Sequence, residues 1–159
     1  MPNRYPRGHP VRATVVWAVL IALAGAMAPV AGAAGPDASL SPSAVVRAQL
    51  AALRDGDTAA AYRYASPANR AAIGAPTAFA DMLERRYADM LTHVSARITP
   101  QIVDNDRARI LAELTQPDGR QSAYVFLLSR QPGPPCRGCW MTDGVIRLEP
   151  AHAGPLYSI

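Results

Sequence analysis

"RARILAELTQPDGRQSAYVFLLSR", residues 107 to 130, alternates apolar and polar side chains on both sides of a turn. In its first half Ala108, Ile110, Ala112 and Leu114 face one way, with Arg107, Arg109 and Glu113 opposite. A period of two is the signature of a half-buried strand. Pro117-Asp118-Gly119 supplies the turn, and "AYVFLL" from Ala123 is the most β-prone run in the chain. Two strands joined this closely pair as an antiparallel hairpin.

Working outward, "HVSARI" from His93 is a further strand, joined to the hairpin through the turn residues Asp104-Asn105-Asp106. Pro100 places that strand at an edge or breaks it. "CWMTDGVIRL" from Cys139 is the last strand, after the proline-rich loop from Gln131 to Gly138. Strict alternation there puts Trp140, Thr142 and Ile146 on one face, and Cys139, Met141, Asp143 and Val145 on the other.

The period changes before His93. Ser41 and Pro42 suit a helix N-cap and first turn, and Val46, Leu50 and Leu53 recur on one helical face. Gly56 ends that helix. "TAAAYRYA" from Thr58 makes a short second helix. "SPANRAAIGAP" repeats the Ser-Pro start at Ser66 but is cut by Gly74 and Pro76. "TAFADMLERRYADML" from Thr77 is a third, with Phe79, Met82, Leu83, Tyr87 and Met90 on one face. Such an aromatic and methionine stripe serves packing against a sheet. The expected fold is α+β, three N-terminal helices covering a four-stranded antiparallel sheet.

The N-terminus reads as an export signal. "MPNRYPRGHPVR" has three arginines and no acid, and a charge-free apolar run starts at Ala13. Ala31-Gly32-Ala33 then offers a small-residue cleavage site. Cleavage is expected between Ala33 and Ala34. The expected organisation is a signal peptide at 1–33, a linker at 34–40, one domain at 41–148 and a tail at 149–159. An exported protein, periplasmic or secreted, follows, with membrane attachment only through the leader if it stays uncleaved.

Losing three of sixteen arginines leaves thirteen against twelve acids, so no basic stripe remains for nucleic acid. There is no lysine, hence no phosphate-cradling Lys loop, and no G-x-S-x-G or H-E-x-x-H string. "DNDRARILAELT" imitates an EF-hand start without its central glycine or terminal glutamate. No cofactor is implied. A zinc site needs ligands beyond Cys136 and Cys139, and His93 and His152 are not spaced to supply them.

The two cysteines, Cys136 and Cys139, stand three apart. In an extended strand that separation is about 10 Å, too far for a disulfide. They close only if Arg137-Gly138 form a turn, and glycine at its third position suits a type II turn. A structural disulfide is the favoured reading. Unpaired thiols and a redox dithiol are the alternatives, the latter weakened because the pair leads into a strand, not a helix. An acid–base pair of Asp143 and His93 is conceivable on strand positions, though ordinary hydrogen-bonding roles explain both.

"YASPANRAAIG" from Tyr64 and "GCWMTDGV" from Gly138 resemble a family of secreted bacterial proteins known as domain of unknown function 4864. "VVRAQLAAL" and the "SR" before the final loop are similar too, so the resemblance spans residues 41 to 147. It implies a cone-like fold of the cystatin or nuclear transport factor 2-like kind, a curved sheet wrapped over helices with a cavity between. That superfamily holds dehydratases, isomerases, ligand binders and silent scaffolds, so fold does not give function. No catalytic residue is carried over. Candidate cavity residues are Tyr64, Asn69 and Arg70 near the helix junction, and Trp140, Thr142 and Asp143 on the last strand.

The leading expectation is a non-catalytic binding or scaffolding module taking a small apolar ligand or a partner's peptide. The open sheet face leaves room for a homodimer. A dehydratase or isomerase using a cavity carboxylate, and a thiol-disulfide redox protein, are the alternatives.

Overall fold

The computed structural model describes residues 35–149. The leader, its Ala33/Ala34 cleavage site, and the tail from Pro150 with His152 lie outside the described residues. Five helices precede the sheet: α1 (Pro42–Arg54), α2 (Thr58–Arg63), α3 (Pro67–Ile73), α4 (Pro76–Arg86) and α5 (Ala88–Thr92). Four strands follow: β1 (Ser95–Val103), β2 (Arg107–Thr115), β3 (Gln121–Arg130) and β4 (Trp140–Leu148). They pair antiparallel in the order β1-β2-β3-β4.

The α+β order is as expected, but two features of the expected fold are corrected. The helices number five, not three. Ser66 caps α3 through a 3.2 Å bond from Asn69 N–H, and Gly74, at φ 95°, ends it. That segment is a helix in its own right, though too short to stand without tertiary support. The stripe from Phe79 to Met90 is split at Tyr87, whose backbone (φ −134°, ψ 31°) leaves the helical region. The sheet, too, is an open meander with β1 and β4 as its edges, and not the curved, cone-like sheet expected.

The hairpin reading holds residue by residue. Ala108, Ile110, Ala112 and Leu114 of β2 are buried, facing the helices beside Tyr124, Phe126 and Leu128 of β3. Val45, Val46, Leu50 and Leu53 of α1, and Phe79 and Leu83 of α4, join them in one core cluster. The opposite sheet face carries an apolar row, Leu111, Val125 and Ile146, in consecutive cross-strand register.

Both edge strands depart from strict alternation. In β1 the pairing skips Gln101, so Pro100 opposes Ile110 and Ile102 opposes Arg109. In β4 it skips Asp143: Thr142 opposes Leu128, and Gly144 opposes Leu127. An extra residue of this kind is a β-bulge and swaps the two faces of the strand beyond it. Trp140 and Thr142 therefore face the helices, and so does Val145, while Ile146 is exposed. The expected grouping of Ile146 with Trp140 and Thr142 fails for this reason.

The upper edge of β4 is covered by the junction between α2 and α3. Thr142 N–H donates to Tyr64 O at 2.8 Å, and Ser66 N–H donates to Thr142 O at 2.9 Å. This short parallel bridge blunts an otherwise open edge. It also fixes α3 beside β4.

Candidate functional site

α4 packs on α2 and α5 and stands off the sheet. The gap beneath it is a cavity of about 230 Å³. Its walls are Leu53, Ile73, Phe79, Met82, Leu83 and Met90 from the helices, and Phe126, Gly144 and Val145 from the sheet. The polar groups in the lining are Gln49, Asn69, Tyr87 and Thr142. Among the described residues no charged side chain lines it.

The polar end is built from three distant pieces of chain. Gln49 is on the buried face of α1, four residues after Val45, and its Nε2 donates to Ala61 O at 3.2 Å. Thr142 Oγ1 donates to Gln49 Oε1 at 2.7 Å. Asn69 Nδ2 donates to Thr142 O at 3.1 Å. Burying these groups costs little because each has a partner.

Of the six candidates, Asn69 and Thr142 line the cavity and the other four do not. Tyr64 is buried in the core, and burial raises its phenol pKa. Arg70 staples the helix junction: Nε donates to Ala65 O at 2.8 Å, and Nη2 donates to Arg63 O at 2.6 Å. Its guanidinium also lies 5.3 Å from the Tyr62 ring centroid. Trp140 is buried at the start of β4, with the Arg130 guanidinium 5.0 Å from its ring centroid. Asp143, the bulged residue, is exposed and accepts a 2.9 Å bond from Ser129 Oγ.

Asp143 and His93 are not brought together. The ladder places Ser95, Thr115, Gln121 and Leu148 at one end of the sheet, and His93 lies just before it. Asp143 sits toward the other end, on the opposite edge strand. His93 is buried, and its Nδ1 is 2.9 Å from Met90 O, so Nδ1 carries the proton. Burial holds its pKa below the ordinary value, opposed in part by that carbonyl.

Sequence reasoning missed Gln49 as part of the site. The signal was present: a lone amide on the apolar face that runs through Val45, Val46, Leu50 and Leu53. Tyr87, at the break between α4 and α5, lines the cavity, and its ring lies beside that of Tyr124 with centroids 6.1 Å apart. Beside it Asp89 accepts from Arg147 at 2.9 Å and from the Tyr124 hydroxyl at 3.3 Å. Burial first, and the Asp89 charge second, push the Tyr124 pKa up.

Cys136 and Cys139 form a disulfide, with Cα atoms 5.6 Å apart. Gly138, at φ 82°, supplies the turn, and Cys139 N–H donates to Cys136 O at 3.3 Å. Gln131 N–H to Cys139 O and Gly138 N–H to Gln131 O close the loop onto the start of β4. Among the described residues no group of three His, Cys, Asp or Glu side chains is placed to hold a metal ion. Among them, too, no helix is long and apolar enough to cross a membrane.

Residues 37–154 match the family described as domain of unknown function DUF4864. The chain belongs to that family. Its helices-then-strands order is consistent with the nuclear transport factor 2-like superfamily. No curated protein and no solved structure matches the chain.

Proposed function

We propose that this DUF4864 domain is a non-catalytic binding module whose cavity takes a small apolar ligand. The observation that carries the reading is the lining itself: apolar and aromatic walls, four neutral polar groups and no charge. Binding sites for small molecules have this make-up. A volume of about 230 Å³ is small for such sites and suits a compact molecule better than a peptide. An apolar cavity of about 150 Å³ already takes benzene.

The competing readings draw less support. A dehydratase or isomerase needs a general base against its substrate, and no carboxylate or imidazole lines the cavity. A dithiol oxidoreductase wants an accessible thiol at a helix N-terminus, whereas Cys136, though half-buried, lies in a loop and Cys139 is buried just before β4. We infer an exported protein, periplasmic or secreted, from the leader pattern together with the disulfide.

Native mass spectrometry of the protein purified without reductant tests the binding reading. A retained neutral molecule, absent from a Val145→Phe variant that fills the cavity, is the expected result. A bare protein that also stays bare when exposed to small hydrocarbons and alcohols would overturn it.

A further inference from the structure

Thr142 Oγ1 carries one hydrogen, and that hydrogen is committed to Gln49 Oε1 at 2.7 Å. The direction of this bond is set from behind. Gln49 Nε2 is held by Ala61 O at 3.2 Å, so Gln49 must present its oxygen to Thr142. Toward anything else, Thr142 Oγ1 can only accept. Beside the spare amide hydrogens of Asn69 and Gln49 and the Tyr87 hydroxyl, the polar end of the cavity therefore also offers an oxygen that only a donor can satisfy.

No cation accompanies them. An ionised carboxylate accepts only, and entering this cavity it would lose water without gaining a counter-charge. An ammonium group donates, but it meets no carboxylate there. A hydroxyl donates one bond, is uncharged, and can itself accept from the second amide hydrogen of Asn69 or Gln49. We propose that the cavity selects neutral alcohols: apolar molecules carrying a hydroxyl that donates to Thr142 Oγ1, with the matching carboxylic acids excluded. This inference rests on the binding reading above and assigns the ligand class of the same site.

The test compares three probes of one length: 1-hexanol, its isomer 1-methoxypentane, which accepts but does not donate, and hexanoate at neutral pH. Isotope-labelled methyl groups of Met82 and Met90, both in the lining, report occupancy by NMR. Hexanol should shift both methyls saturably and bind about tenfold tighter than the ether, the worth of one net hydrogen bond. Hexanoate should not shift them. Thr142→Val combined with Gln49→Met, which also removes the oxygen that the first change frees, should reduce the alcohol-to-ether ratio to near one while both probes still bind, and Thr142→Ser alone should keep it.

Hexanoate binding as tightly as hexanol, or equal binding of alcohol and ether to the unaltered protein, would overturn the ligand class and leave the binding reading standing. A tenfold preference that survives Thr142→Val with Gln49→Met would overturn the role of this pair. No saturable shift from any probe would overturn the binding reading and this inference with it. The comparison on the unaltered protein decides the matter even if a variant fails to fold.

Discussion

Thr142 Oγ1 and Gln49 Oε1 meet at 2.7 Å across 93 residues of sequence, tying the last strand to the first helix at the floor of the cavity. Both residues are buried. Removing the hydroxyl leaves the Gln49 oxygen without its donor, which costs about 1–3 kcal/mol. Thr142→Val should therefore lower the denaturation midpoint. Combined with Gln49→Met, the loss should be less than the sum of the two single changes. Additive losses in that double-mutant cycle would show that the pair does not act as a unit.

Arg70 predicts a different kind of loss. Its planar fork binds two carbonyls at once and stacks on Tyr62, a geometry that lysine does not reproduce. Arg70→Lys and Arg70→Ala should both destabilise, by about 1–3 kcal/mol, as hydrogen bonds from a charged group do. The α2–α3 junction should lose amide-exchange protection first. Full rescue by lysine would show that only the charge matters.

His93 predicts a pH slope. Its folded pKa is lowered below the ordinary value of 6.5, so the unfolded chain binds the proton more readily. Stability should be fully present above the unfolded value and fall as the pH drops from about 6.5 through the lower folded value. Arg54 and Asp55 at the end of α1 act on the same imidazole with opposite sign. His93→Asn keeps a donor to the Met90 carbonyl and should flatten the slope between about pH 5 and 6.5, above the carboxylate range. An unchanged slope in that variant would remove His93 from the account.

The disulfide predicts a modest gain. Cys136 and Cys139 close a very short loop, worth about 2 kcal/mol on the chain-entropy model. Reductant, or Cys136→Ser with Cys139→Ser, should lower the unfolding free energy by that amount, read as a lower denaturation midpoint. Ligand occupancy of the cavity should persist, because neither cysteine lines it. Loss of binding on reduction would tie the loop to the site.

The sheet was legible in the sequence because burial on one face imposes a period of two, and β2 and β3 obey it throughout. The helices were harder. The boundaries of α3 were written in Ser66, Pro67 and Gly74, yet seven residues looked like an interruption of its neighbours. The break at Tyr87 carries no glycine or proline; contacts with Tyr124, and those of Asp89 with Arg147, decide it. In β4 the bulge at Asp143 turned Val145 inward and Ile146 outward, and only the glycine that follows hinted at it. Asn69 and Thr142, two of the six residues singled out from the sequence, fall in the lining of the cavity. Gln49 and Tyr87 were not among the six, since their place in the lining depends on how α1 and the α4–α5 break meet the sheet.

A crystal structure of the protein as purified from cells would show whether the cavity holds a ligand. Compact electron density is expected between Met82 and Phe126, with one polar atom at hydrogen-bond distance from Thr142 Oγ1. A cavity closed by its own side chains, or filled by ordered waters on Gln49, Asn69 and Thr142, would contradict it.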